Sequence, residues 1–219
     1  MKLTKSNFNL SCIDMANFLL GKILVRKFEN NTISKGRIVE TECYLGGIDK
    51  ASHSYGGRVT PRNQAMFMPE GTSYVYMTYG MYYCLNISSK EPGAAVLIRA
   101  LEPIEGLEQM ENNRLKKMKN KNSSKKFKNI ELCNGPSKLC ISMDIRKENC
   151  NKIDLCQNDY LWIEEPGEKE NFVVVTSTRI GVASAGEEWA NKPLRFYIYQ
   201  NPHVSKRDRK AEKNVEFPT

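Results

Sequence analysis

Residues 72–88 read TSYVYMTYGMYYCLNIS. Two runs rich in tyrosine and β-branched residues, 72–78 and 81–88, flank the dipeptide Tyr79–Gly80. That pattern predicts a β-hairpin turning at Tyr79–Gly80. Upstream, 22–28 and 37–45 read as strands, and 47–71, rich in Gly, Pro and polar residues, reads as loop. Downstream, AAVLIRAL at 94–101 reads as a buried strand, and two more are expected near 173–178 and 194–199. Ser11, with Asp14 three residues on and Gly21 near the end, predicts a short helix whose Ile13, Phe18 and Leu19 face a core. Further helices are expected after Pro103 toward residue 118 and at 136–142 behind Pro136. Residues 1–10 read as a polar lead-in. Strands and short helices without regular βαβ alternation predict an α+β fold, not a doubly wound α/β one.

The chain has 219 residues, 40% hydrophobic and 26% charged, which suits a single soluble domain and excludes collagen-like, coiled-coil and wholly disordered classes. No apolar run approaches 18 residues, and MKLTKSNFNL lacks the apolar core of a signal peptide. An intracellular protein without a membrane partner is expected. Seven cysteines without a C-x-x-C, and only His53 and His203 beside them, predict reduced core thiols and no metal site. Lys and Arg total 33 against 25 acids, a net charge of +8. Such a surface suits nucleic acid ahead of an anionic membrane, or serves solubility alone. The segment 114–128, RLKKMKNKNSSKKFK, holds eight basic residues and no acid. It reads as a mobile loop or frayed helix end, either a phosphate contact or a solvated insertion.

Three places carry potential chemistry. In RIVETECYL, 37–45, alternation puts Ile38, Glu40, Glu42 and Tyr44 on one face and Val39, Thr41, Cys43 and Leu45 on the core side. A carboxylate beside an aromatic, just before Gly46–Gly47, is either a general base next to a flat substrate or a paired structural acid. Arg99 interrupts an apolar strand, so it either pairs a structural carboxylate or holds a functional carboxylate or phosphate. Tyr79 at the hairpin tip is a candidate wedge for a nucleic-acid groove, and His53 in its loop is either exposed or part of a base-stacking sandwich.

The strings IVETECYLG, ASHSYGG, TPRN, MFM, YVYMTYGMYYCLNISS, LIRALEP, CNGPSKLC and KPLRFY run in order between residues 38 and 197, inside a likeness that extends from about residue 11 to 204. Together they resemble the alkyladenine (3-methyladenine) DNA glycosylases, monofunctional enzymes of base-excision repair. The resemblance implies one domain over 1–219. Its ordered core would span about 11–204, with a basic variable segment at 114–128 and a charged tail at 205–219. It implies a curved antiparallel sheet with a protruding β-hairpin and peripheral helices, no cofactor and no metal. The implied partner is double-stranded DNA containing a damaged base, met by a monomer in the cytoplasm or nucleoid of a bacterium or the nucleus of a eukaryote. Glu42 would activate water, and Arg99 would help hold that arrangement. Tyr44, His53 and Tyr76 would stack on a flipped-out base, Asn86 would sit at the purine edge, and Ala51 and Val182 would add backbone contacts. Tyr79 would intercalate and fill the vacated space. The implied substrates are alkylated or deaminated purines: 3-methyladenine, 7-methylguanine, ethenoadenine and hypoxanthine. A non-enzymatic nucleic-acid binder would leave Glu42 unexplained, and a bifunctional glycosylase/lyase would need an amine nucleophile. AGEEWA, 185–190, is one Glu longer than the family string.

Overall fold

The computed structural model describes residues 1–118, 126–168 and 170–215. Residues 119–125 of the lysine tract and 216–219 of the tail lie outside these. Among the described residues the strands are β1 (Ile23–Lys27), β2 (Ile33–Tyr44), β3 (Ser73–Thr78), β4 (Tyr82–Ser88), β5 (Ala95–Glu105), β6 (Leu161–Glu164), β7 (Val174–Ser177) and β8 (Arg195–Ile198). The helices are α1 (Lys5–Phe8), α2 (Cys12–Leu19), α3 (Leu107–Lys117), α4 (Asn129–Cys133), α5 (Pro136–Ser142), α6 (Lys147–Cys150) and α7 (Glu187–Ala190).

The strands form one antiparallel sheet in the order β3-β4-β5-β2-β1-β6, with β8 on β2 and β7 on β8. β2 is the fork. Its first half pairs with β1, its residues Glu40–Glu42 pair with β8, and β5 runs along its other edge. Two register shifts flank Glu40: Ile38 faces Leu101, Glu40 faces Ala100, and Thr41 faces Ile98. Val39 and Arg99 are therefore the extra residues of two adjacent bulges. Such bulges bend a strand and increase its twist, which curls the sheet. They also overturn part of the expected alternation, because Ile38 joins Val39 in the core instead of sharing a face with Glu40.

The expected core side of β2 otherwise holds. Thr41 Oγ1 donates to the Ala16 carbonyl at 3.0 Å, and Cys43 Sγ donates to the Cys12 carbonyl at 3.1 Å, so both turn toward α2. Ser11 caps α2, accepting from the Asp14 N–H, and Gly21 follows its end at φ +80°. Cys12, Met15, Ala16 and Leu19 are its buried residues. Ile13, expected inside, is 42% exposed because the 3.6-residue period turns it outward once 12, 15, 16 and 19 face in. α5 starts at Pro136 as expected. The segment after Pro103 does not turn helical at once. β5 continues to Glu105, and α3 begins only after Gly106 at φ +75°.

The lead-in 1–10 is docked, contrary to its polar reading. The Leu3 N–H donates to the Ile163 carbonyl at 2.8 Å, and Leu3 and Phe8 are buried. Beyond residue 204 the chain also packs. The Asp208 N–H donates to Tyr197 Oη at 2.9 Å, and Tyr197 Oη donates to Glu212 at 3.1 Å. All seven cysteines are free, and Cys12, Cys43, Cys133, Cys140 and Cys150 sit in the main core.

Candidate active site

The sheet face turned away from α2 carries the polar residues. Residues directly opposite in a ladder share a face. The register gives one continuous row across five strands: Tyr74, Asn86, Leu97, Glu42 and Arg195. Two residues along each strand, Tyr76 and Tyr44 point the same way. Loop 46–71 folds over this face and carries Ala51 and His53. Asn63, itself buried, ties the loop by donating to the carbonyls of His53 (2.8 Å) and Arg58 (2.9 Å). Ser88 Oγ holds the Ala65 carbonyl at 2.6 Å.

The result is a cleft of about 170 Å³. Tyr44, Ala51, His53, Tyr76, Asn86 and Val182 line it together, although they are far apart in the chain. Met66, Tyr74 and Gly181 complete the wall. Tyr74 could have been found from sequence, because it shares strand parity with Tyr76. Met66 lies inside the quoted MFM string and Gly181 abuts Val182, but neither spacing marks them.

The ring geometry is well defined. His53 stands edge-on to Tyr76, centroids 4.6 Å apart at 80°, and Tyr74 lies 5.3 Å from Tyr76. His53 Nδ1 and Tyr74 Oη are 2.8 Å apart. Desolvation, with the Arg62 cation second, pushes His53 down to about 4 from 6.5. The ring is therefore neutral at physiological pH. Arg62, not anticipated as part of the site, is exposed and lies over Tyr76 at 5.5 Å. Asn86 Nδ2 donates to the Tyr74 carbonyl at 3.1 Å. The Ala51 N–H is already committed to Asp49 Oδ1 at 2.9 Å.

Glu42 sits one step deeper than Tyr44 and is wholly buried. Its Oε1 accepts from the Ile180 N–H at 2.7 Å and meets Arg99 Nη1 at 3.2 Å. Its Oε2 accepts from Tyr44 Oη at 3.0 Å. Burial raises the Glu42 pKa from 4.5, opposed by Arg99, the Ile180 N–H and the Tyr44 hydroxyl. Burial and then the Glu42 charge hold Tyr44 well above 10, so its phenol stays a donor. Arg99, an arginine in an apolar strand, thus pairs carboxylates: Glu42 and also Glu40, through Nε at 3.2 Å.

Tyr44 is backed by a second buried pair that the sequence did not signal. The Arg179 guanidinium lies 4.9 Å from the Tyr44 ring and forks onto Asp49 at 2.5 and 3.0 Å. It also donates to the carbonyls of Cys43 and Trp189. Asp49 in turn accepts the N–H groups of Leu45 and Ala51. Arg179 therefore ties three stretches together: 43–51, its own loop, and the AGEEWA segment, whose Trp189 is buried.

Tyr79 stands apart. It is 88% exposed, at φ +51°, in a three-residue loop with Gly80 (φ +67°) and Met81, one residue longer than the expected turn. A non-glycine residue in this left-handed region costs about 1–2 kcal/mol. A ring so exposed recovers little of that by packing.

Comparison with known proteins matches this geometry to a lineage. A profile described as methylpurine-DNA glycosylase matches residues 6–202. A DNA-3-methyladenine glycosylase of Homo sapiens is 50% identical over 210 residues, 95% of this chain and 70% of the relative. One of Mus musculus is 50% identical over 94% of this chain, which spans 61% of that relative's length. A putative 3-methyladenine DNA glycosylase of Clostridium tetani is 49% identical over 94% of this chain and 100% of its own. With the match running through the curled sheet, the cleft and the hairpin alike, the chain belongs to the methylpurine-DNA glycosylase family.

Proposed function

We propose that the protein is a monofunctional DNA glycosylase of base-excision repair. It flips alkylated or deaminated purines (3-methyladenine, 7-methylguanine, ethenoadenine, hypoxanthine) out of duplex DNA and hydrolyses their N-glycosidic bond. The observation that carries this reading is Glu42: a buried carboxylate, gripped by Arg99 and Tyr44, directly behind an aromatic cleft. A simple nucleic-acid binder has no use for an anion there.

A base inside a duplex is unreachable, and extruding it costs a few kcal/mol. Tyr79 wedges into the gap and offsets that cost. The extruded purine enters between the rings of Tyr44, His53 and Tyr76, whose electron-rich faces favour a cationic alkylated base by about 0.5–2 kcal/mol. Neutral His53 adds no repulsion. Asn86 reads the purine edge and discriminates against guanine. The Ala51 and Val182 backbone borders the base; since the Ala51 N–H is held by Asp49, its carbonyl is the group that takes part. Bond cleavage runs through an oxocarbenium-like sugar. A water oxygen bonds to C1′, its proton passes to Glu42, and the electrons of the C1′–N bond leave with the base. Among the described residues Oε2 of Glu42 takes one hydrogen bond, from Tyr44, and a carboxylate oxygen accepts two. The second position suits the water proton.

The test is incubation with a duplex holding one hypoxanthine or ethenoadenine. Free base and an abasic site in equal amounts are expected; tight binding without release would leave a binding protein only.

Two expectations follow for single residues. Tyr79→Asn relieves the backbone strain, because Asn tolerates the left-handed region. Its thermal midpoint should hold or rise slightly, while excision at limiting protein falls about 5- to 150-fold, the equivalent of the roughly 1–3 kcal/mol of a lost stacked aromatic. A marked loss of thermal stability would show that the ring packs within the protein. For His53, the folded pKa is depressed, so its contribution to stability is present above 6.5 and is lost as pH falls from there through about 4. An NMR titration should find its imidazole midpoint near 4, with affinity for 7-methylguanine DNA constant from pH 8 to about 5.5. A midpoint near 6.5 would contradict the neutral-ring account.

A further inference from the structure

Glu40 and Arg195 have no part in the mechanism above, yet both are buried beside it. Glu40 lies two residues before Glu42 on β2, pointing to the same face. Its Oε1 accepts from Arg99 Nε at 3.2 Å and from Arg195 Nη1 at 2.9 Å. Its Oε2 accepts from the Ser205 N–H at 2.7 Å. Arg195 commits its other donors to the carbonyls of Thr178 and Lys206 and to Ser177 Oγ. Two acids and two arginines thus form a buried, electrically balanced set. Sets of this kind add little stability for the desolvation they require, so positioning is the better account of this one.

The geometry of Arg99 indicates what is positioned. A guanidinium facing one carboxylate ordinarily takes both oxygens in a two-pronged fork. Arg99 does not. Its Nε goes to Glu40, its Nη2 to Ser205 Oγ at 3.3 Å, and its closest approach to Glu42 is Nη1 to Oε1 at 3.2 Å, with no hydrogen bond from Arg99 to Oε2 among the described residues. We propose that Glu40 is a positioning residue: by holding Arg99 through Nε and offsetting the charge of Arg195, it confines Arg99 to one oxygen of Glu42 and leaves Oε2 to receive the proton of the attacking water. This rests on Glu42 acting as the general base. Burial aside, Glu42 feels Arg99 from β5, the Ile180 N–H, and Tyr44 and Glu40 on β2; it also faces Cys84 on β4, Arg179 behind Tyr44, and Arg195 paired across on β8. Glu40 is the nearby acid among them, and its charge raises the Glu42 pKa.

Glu40→Gln keeps the shape and leaves two arginines drawing on one carboxylate. The acidic limb of the single-turnover rate on hypoxanthine DNA should move down by about one pH unit. The plateau rate should fall about three- to tenfold, a part of what full loss of a base costs. Lesion affinity should stay within about twofold. Glu40→Asp keeps the charge but not the reach, so its plateau falls while the limb stays in place. The double variant Glu40→Gln/Arg195→Gln is again balanced, and its limb should return to the wild-type position. It carries the test where the single variant does not fold. An unmoved limb in Glu40→Gln, the same shift in Glu40→Asp, or a double variant with a displaced limb would overturn the proposal. Near-wild-type excision by Glu42→Gln would instead remove the general-base reading beneath it, so the two failures are distinguishable.

Discussion

Glu42→Gln is expected to fold as well as the wild type and to lose hypoxanthine excision by about 10²–10⁴-fold, the range for loss of a general base. Loss of anionic support for the sugar cation deepens the fall. Folding is spared because the Glu42 pKa is raised in the folded protein, chiefly by burial. The sign is the reverse of the usual acid. The stability contribution of Glu42 is present below about 4.5 and is lost as pH rises through the raised folded value. At neutral pH the ionised carboxylate therefore costs stability, and an uncharged isostere removes that cost. The thermal midpoint of Glu42→Gln should equal or exceed the wild type at pH 7 and depend less on pH above 4.5. Affinity for lesion DNA should hold or rise, since a negative charge near phosphates has gone. Single-turnover rates, equilibrium titration on the same duplex and thermal scans at several pH values give the three readouts. Parallel loss of binding, rate and thermal midpoint would make Glu42 a structural partner of Arg99 only.

The second large effect is on stability. Arg179→Ala leaves Asp49 buried and unpaired, and strips two carbonyls of their donors. Removing one member of a buried ion pair costs about 3–5 kcal/mol. For a chain of this size that lowers the thermal midpoint by about 6–20 °C. Arg179→Lys should recover little, because one ammonium cannot reproduce a fork that serves Asp49 and two carbonyls at once. Amide exchange should accelerate first at Leu45 and Ala51, whose N–H groups Asp49 holds. A midpoint shift under 2 °C would show that the pair does not brace the wall behind Tyr44.

These two residues also mark how far the sequence could be read. Glu42 and Tyr44 were legible because period-two alternation put a carboxylate and an aromatic on one face just before a glycine pair. The hairpin was legible for a similar reason, with strand-forming runs either side of Tyr79–Gly80. Arg179 and Asp49 were not, since two ionic partners 130 positions apart leave no spacing signal. Ile38 was misread because a bulge is set by the partner strand, and nothing local in RIVETECYL announces it. Leu3 and Phe8 are two apolar residues among polar ones, with no period to show that β6 and the core would take them. Arg99 was flagged as needing partners, but its second partner, Glu40, emerged only when the double bulge brought the two side chains together.

In the proposed cleavage a carboxylate-activated water, not a protein amine, breaks the bond. Its most direct measurement is a borohydride trap run alongside excision on one hypoxanthine duplex. The expected result is one free base per abasic site, an uncut abasic strand and no covalent protein–DNA complex. A trapped complex, or strand cleavage in step with base release, would contradict it.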